Sequence, residues 1–241
     1  MTKTFVSSLI KGIRENRITA LSRAVSILEN NHPSKSQILK ALSSFKKEKA
    51  FVIGITGSAG SGKSTLISQL AKAMRQDHKK VAIIAVDPSS PKTGGAFLGD
   101  RVRMQNLTED PGVFIRSMAS RGAQGGVAKA TKDVAYLFSK SGYDFILIET
   151  VGAGQLDYEV TKFSDLTVLM LTPEAGDEMQ FMKAGLRELA GVFVINKAER
   201  PGAQKMEDRL KQTNEEIPVF KTIAEQGKGI EELYRFIKKH E

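Results

Sequence analysis

The sequence predicts an α/β fold: a doubly wound, mostly parallel sheet of about seven strands, preceded by an N-terminal helical extension. Two observations carry this. Short, near-continuous apolar runs recur from Ala50 onward, the pattern of strands buried on both faces. Amphipathic stretches separate most of them, as in Leu66 to Met74, where Leu66, Leu70 and Met74 recur at i, i+4 and i+8. The first fifty residues show helical spacing instead, so the expected division is 1–49 for the helical extension and 50–241 for the sheet domain.

In order along the chain, Leu21 to Leu28 has apolar residues at helical spacing, and His32-Pro33-Ser34 then breaks it. Ser34 is placed to cap a helix carrying Ile38, Leu39 and Leu42. The expected strands are Phe51 to Thr56, Val81 to Val86, Val113 to Ile115, Phe145 to Ile148, Thr167 to Leu171, Val192 to Ile195 and Val219 to Ile223. A last helix puts Ile230, Leu233, Tyr234 and Ile237 on one face. No internal repeat, low-complexity tract or interdomain linker is visible.

Length and composition narrow the class. With 241 residues, 41% of them hydrophobic and 26% charged, the chain is large enough for a full core and carries no disorder signal. It has no Cys, which excludes disulfides and thiolate metal sites and fits a reducing cytoplasm. No apolar run approaches the roughly 20 residues of a membrane-spanning helix, and Met1 to Val6 lacks a signal peptide's apolar stretch. A cytoplasmic location without a membrane partner is expected. The net charge of +9 is the one deviation, and its bland reading is a solvated basic surface suited to a polyanionic ligand. Lys35, Lys40, Lys46, Lys47 and Lys49 read as one helical stretch, without the interleaving of Arg with Phe or Tyr that stacks bases, so no nucleic-acid partner is expected.

Gly57-Ser58-Ala59-Gly60-Ser61-Gly62-Lys63-Ser64 satisfies G-x-x-x-x-G-K-[ST], and Thr65 follows. The pattern sits between a buried strand and an amphipathic helix, the context that makes it diagnostic of a P-loop NTPase. Small residues let backbone N–H groups wrap phosphates, and the helix N-terminus adds its positive dipole. Lys63 is expected to reach the β- and γ-phosphates and the Ser64 hydroxyl to ligate Mg²⁺. Ser58 stands where deviant Walker ATPases carry a second Lys, which argues against that class.

Asp87 ends the second strand and Glu149 ends the fourth, each just past its apolar run, and carboxyl ends of parallel strands line the ligand crevice. Asp100 lies in a long Gly-rich segment. All three are candidate Mg²⁺ ligands, with helix capping as the alternative for each taken alone. In Glu149-Thr150-Val151-Gly152, Gly152 follows the carboxylate where a γ-phosphate-sensing turn needs close backbone approach.

Asn196-Lys197-Ala198-Glu199 resembles the N-K-x-D motif by which GTPases read guanine. The resemblance implies that Asn196 contacts the base edge, the Lys197 stem covers the ring and Glu199 accepts the guanine N–H groups. Glu stands where Asp is usual, and its extra methylene moves the acceptors outward by roughly an ångström. Thr222-Ile223-Ala224 would supply the second base loop, from Thr222 and Ala224, with Ile in place of the usual Ser. GTP is favoured and ATP remains open.

Taken together, the chain resembles the MeaB/ArgK family of P-loop GTPases, chaperones of adenosylcobalamin-dependent acyl-CoA mutases. The matches run from Leu21-Ser22-Arg23-Ala24 through the phosphate loop, Asp87-Pro88-Ser89-Ser90, Thr93-Gly94-Gly95 and Leu98 to Met104. They continue with Ile115 to Ala119, Arg121-Gly122, Gly125 to Ala128, Glu149 to Gln155 and Gly176-Asp177-Glu178-Met179-Gln180. The resemblance implies a carboxylate cluster of Asp87, Asp100 and Glu149. It also implies switches around Asp100, Gln155 and Asp177 to Gln180 that report the γ-phosphate to the mutase. The implied reaction is GTP hydrolysis to GDP and phosphate, slow without the partner, gating cofactor delivery or protection. The family usually continues into a C-terminal dimerisation arm, whereas this sequence stops at Glu241, which fits a truncated chain, a shorter relative or a protein with another mode of association, and a homodimer stays open. A nickel-maturation GTPase is an alternative, weakened by the lack of Cys and by the wide sequence separation of His32, His78 and His240. A small-molecule kinase is another, with no acceptor pocket evident in the sequence.

Overall fold

The computed structural model describes residues 3–87, 104–119, 130–150, 160, 162–174, 190–213 and 215–241. Three helices lead: α1 (Lys3–Arg14), α2 (Ile18–Glu29) and α3 (Lys35–Leu42). There follow β1 (Phe51–Gly57), α4 (Lys63–Gln76), β2 (Val81–Asp87), α5 (Gln105–Thr108), β3 (Val113–Ala119) and α6 (Thr131–Lys140). The rest comprises β4 (Phe145–Glu149), β5 (Leu166–Leu171), β6 (Val192–Asn196), α7 (Ala203–Thr213), β7 (Val219–Thr222) and α8 (Ile230–Lys238). The strands form one seven-stranded sheet in the order β3-β2-β4-β1-β5-β6-β7, every neighbouring pair parallel.

Alternation along each strand builds the two faces. In β2, Ala82, Ile84 and Val86 pack with buried residues of α1, α2, α3 and α6, while Val81 and Ile83 pack with Leu66 and Leu70 of α4 and Leu233 of α8. The N-terminal helices therefore share one apolar cluster with the sheet. Phe138 and Phe145 are fully buried, one on each face, and truncating either to Ala would cost about 3–5 kcal/mol. A smaller cluster under α7 holds Leu171, Phe193, Ile195 and Leu210.

Four strands run one residue beyond their apolar pattern. β1 ends on Gly57, β2 on Asp87, β4 on Glu149 and β6 on Asn196, so motif residues close the ladders at one edge. β3 extends to Ala119, well past Ile115, because Arg116 interrupts the apolar run without interrupting the ladder. Arg116 Nη2 donates to Glu29 Oε2 at 2.7 Å, pinning α2 to the edge strand. β7 stops at Thr222, and Ile223 instead forms an isolated antiparallel bridge with Lys228.

Two expectations are corrected. Ser34 precedes α3, but its backbone is helical (φ −79°, ψ −2°) and its hydroxyl makes no capping bond; a capping side chain needs an extended backbone to fold over the first turn. The lysines read as one helical stretch are divided: Lys35 and Lys40 lie on α3, while Lys46, Lys47 and Lys49 lie in the non-helical connection to β1. Among the described residues no helix is long and apolar enough to cross a membrane.

Candidate nucleotide site

The loop between β1 and α4 is shaped by two glycines that admit no side chain. At Gly57 (φ 148°) a Cβ would stand 2.4 Å from the Met170 carbonyl oxygen, so β5 closes directly on the loop's first residue. At Gly62 (φ 95°) a Cβ would stand 2.4 Å from Asn196 Nδ2. The missing side chain is what lets Asn196 reach the loop. α4 then begins at Lys63, its amino end facing the same cleft.

Lys63 is buried, and its Nζ donates to the carbonyls of Gly57 and Ser58, both at 2.9 Å. This holds an ammonium over a loop whose N–H groups are disposed for anions. The Ser64 hydroxyl donates to Glu149 Oε1 at 2.7 Å, with both residues about 5% exposed. A hydroxyl and a carboxylate oxygen thus meet at the carboxyl ends of the central strands. Both are hard oxygen donors, a set that suits Mg²⁺.

The Asn196-Lys197-Ala198-Glu199 segment is joined to this loop by side chains. Asn196 is 3% exposed, and its Nδ2 donates to the Ser61 carbonyl at 2.8 Å. Its Oδ1 accepts from the Thr222 hydroxyl at 3.1 Å and the Ala224 N–H at 3.0 Å. Lys197 takes a left-handed backbone (φ 57°), and its Nζ donates to the Gly60 carbonyl at 2.9 Å. Between these parts lies a cleft of about 440 Å³.

Most of the expected site residues converge here. Gly57 to Thr65, Glu149, Asn196, Lys197, Thr222 and Ala224 surround or support the cleft, and the exposed Glu199 lines it. Asp87 closes β2, two positions past Ala85, the residue in register with Glu149. Asp100 and Gly152 lie outside the described residues, as do Gln155 and Asp177 to Gln180. The cleft adds residues that the motifs did not assign: Val86, Thr150, Arg200, Ile223 and Glu225. Thr150 is 1% exposed, and its hydroxyl has no hydrogen-bond partner among the described residues. Its adjacency to Glu149 was the available signal.

A parallel sheet with this loop after its central strand, and an N-K-x-E turn locked to the loop, defines a P-loop nucleotide-binding protein of the GTPase type. The family described as methylmalonyl Co-A mutase-associated GTPase MeaB matches residues 21–241, and the chain belongs to that family. It is 42% identical over 246 residues to a putative GTPase of Pyrococcus abyssi, covering 98% of this chain and 76% of the relative. It is also 36% identical over 206 residues to a mitochondrial methylmalonic aciduria type A homolog of Caenorhabditis elegans, covering 80% of this chain and 52% of that protein. Among solved structures, one described as an LAO/AO transport system kinase superposes with a TM-score of 0.76 at 24% identity, over all of this chain and 76% of that one. The hydrogenase maturation factor HypB of Archaeoglobus fulgidus gives a TM-score of 0.61 at 22% identity, over 90% of this chain and 98% of that one. At such identities the two likenesses speak to the fold alone. The family resemblance carried by the motifs and the α/β fold are both borne out.

Proposed function

We propose that the chain binds GTP with Mg²⁺ in this cleft, hydrolyses it to GDP and phosphate, and acts as a switch assisting an adenosylcobalamin-dependent acyl-CoA mutase. The assistance is loading or protection of the mutase's cofactor. The observation that carries the nucleotide half is Asn196, whose amide joins the phosphate loop at Ser61 to the β7 end at Thr222 and Ala224. Family membership supports the mutase half. Within this reading residues 50–241 handle nucleotide and residues 1–49 extend them.

Each residue has a task in this reading. Lys63 exchanges its carbonyl contacts for phosphate oxygens, which offer the ammonium full negative charge. Asn196 uses the second N–H of its amide on the base edge, since the first is held by Ser61 and its oxygen already accepts two bonds. Glu199 accepts N–H groups from guanine, and a site that hydrogen-bonds a base in this way rejects one that leaves buried groups unpaired. Ser64 and Glu149, with Asp87 and Asp100 in the set, would hold Mg²⁺, which neutralises charge developing on the phosphates. Gly152 would let the backbone approach the γ-phosphate.

The test is phosphate release from GTP by the purified chain with Mg²⁺, alone and with a cobalamin-dependent mutase. Release that depends on Glu149 and rises with the mutase is expected. Transfer of the labelled phosphoryl group to anything other than water would replace the GTPase reading with a kinase. Hydrolysis without any effect of, or association with, a mutase would sink the partner half alone.

A further inference from the structure

A second concave site lies at the opposite ends of the strands. β1 begins at Phe51 and β4 at Phe145, and the segments leading into them meet near the last turns of α1 and α6. There a pocket of about 230 Å³ places Arg14, Lys46, Lys47 and Lys140 around Ile13 and Phe45. β1 runs the seven residues from this end of the sheet to Gly57, so roughly 20 Å separates the pocket from the phosphate loop.

The charge here is unbalanced. No carboxylate is among the described residues lining the pocket. No ion pair of the described residues involves Lys46, Lys47 or Lys140. The Arg14 guanidinium lies 4.9 Å from the centre of the Phe45 ring and the Lys140 ammonium 5.9 Å from that of Tyr136. Arg14 also borders an adjoining groove of about 610 Å³ along α1, with Val6, Ile10, Ala41 and Lys11 on its walls. The groove's one acid, Glu15, is paired with Arg17 at 3.1 Å.

We propose that this face docks an acidic amphipathic helix of a partner protein. Its apolar side chains lie along Val6, Ile10 and Ala41, and its carboxylates meet Arg14, Lys46 and Lys47. Val6, Ile10 and Ala41 offer an inorganic anion nothing, and the groove shares Arg14 with the cationic pocket, so one ligand with both characters fits the whole surface. Nucleic acid fits less well, because Phe45 and Tyr136 already carry their own cations and offer no stacking platform. This reading goes beyond the nucleotide switch and does not depend on it. Docking at the strands' amino ends leaves the nucleotide cleft open at their carboxyl ends, so the partner stays bound in either nucleotide state.

The experiment uses the full chain and a labelled helical peptide with a Leu stripe flanked by Glu, followed by anisotropy. Micromolar binding is expected, unchanged by GTP or GDP and falling as salt rises from ~50 to ~300 mM. The double variant Lys46→Glu/Lys47→Glu should weaken it by about ten-fold or more, and Ile10→Asp should weaken it without touching the lysines. Lys47→Ala/Lys140→Ala provides a milder pair, with circular dichroism confirming the fold of each. Equal affinity for a Leu–Lys peptide, or full binding by the double variant, overturns the proposal. Tighter binding of a short DNA duplex or of phosphatidylserine vesicles, lost in the same variants, assigns the surface to that ligand instead.

Discussion

Asn196 and Ser61, 135 positions apart in sequence, meet through a 2.8 Å hydrogen bond from the asparagine amide to the serine carbonyl. With the bonds from Thr222 and Ala224 to its oxygen, this amide has one allowed orientation, and it ties three segments together. Asn196→Ala should remove all three bonds and leave the buried Ala224 N–H without its acceptor. A stability loss of about 1–3 kcal/mol is expected in urea unfolding. Affinity for a fluorescent GTP analogue should fall in the same variant. An intact affinity would separate the base turn from the phosphate loop.

Lys63→Ala should abolish nucleotide binding while leaving the far-ultraviolet dichroism unchanged. Calorimetric titration with GTP is the check. Micromolar affinity retained by the variant would remove the phosphate-loop assignment.

Gly62 and Gly60 offer a paired comparison within one loop. A Cβ at Gly62 strikes Asn196 Nδ2 at 2.4 Å, whereas one at Gly60 meets nothing within 4 Å. Both have positive φ, so both Ala variants bear backbone strain of about 1–3 kcal/mol, but only Gly62→Ala also displaces Asn196. Nucleotide affinity should therefore fall further for Gly62→Ala, by about ten-fold or more relative to Gly60→Ala. Equal losses would mean strain alone matters.

Glu199→Asp should sharpen the preference for GTP over ATP by drawing the acceptors back toward the usual reach. The ratio of the two dissociation constants measures it. An unchanged ratio would show that Glu199 does not touch the base.

Acid should weaken the fold through Asp110. Its bidentate contact with Arg75 Nε, at 3.0 Å to each oxygen, holds its carboxyl below the usual range, and the Gly112 N–H at 2.7 Å adds to this. A carboxyl depressed in the folded state adds stability above its unfolded value near ~4 and loses it as pH falls through the lower folded value. Glu207, held by Lys211 and Lys221, acts in the same direction. The melting temperature should drop as pH falls below ~4, and Asp110→Asn should flatten that drop. A variant with the same slope as the parent would place the acid sensitivity elsewhere.

The sheet was legible in the sequence because a parallel, doubly covered strand has to be apolar along nearly all its length, and most of the seven runs are; the edge run Val219 to Ile223, which carries Lys221 and Thr222, is the exception. Its strand ends were less legible. Gly57, Asp87, Glu149 and Asn196 continue the ladders, but their residue types signal chemistry or turns. The extension of β3 was hidden by Arg116, whose charge is answered by Glu29 from α2, a contact between distant segments that no local pattern contains. The G-x-x-x-x-G-K-[ST] loop and the N-K-x-E turn could each be read from spacing. Their joining through Asn196 could not, since it depends on β1 and β6 lying on either side of β5. Thr150 and Arg200 entered the cleft wall for the same reason: only the packed strands bring them to it.

The order of the strands in space has a consequence for how the chain is made. β1 sits at the centre of the sheet, yet its partners, β4 and β5, begin only at Phe145 and Leu166. During synthesis the strand that carries the phosphate loop emerges early and waits for more than a third of the chain to follow before it can pair. Its apolar residues from Val52 to Ile55, and the apolar faces of the helices before it, must be kept from other chains during that interval. Non-local parallel pairing is intrinsically slow, so the nucleotide cleft is assembled among the last parts of the molecule. A polypeptide released before β5 has every residue of the phosphate motif and no place to fold it.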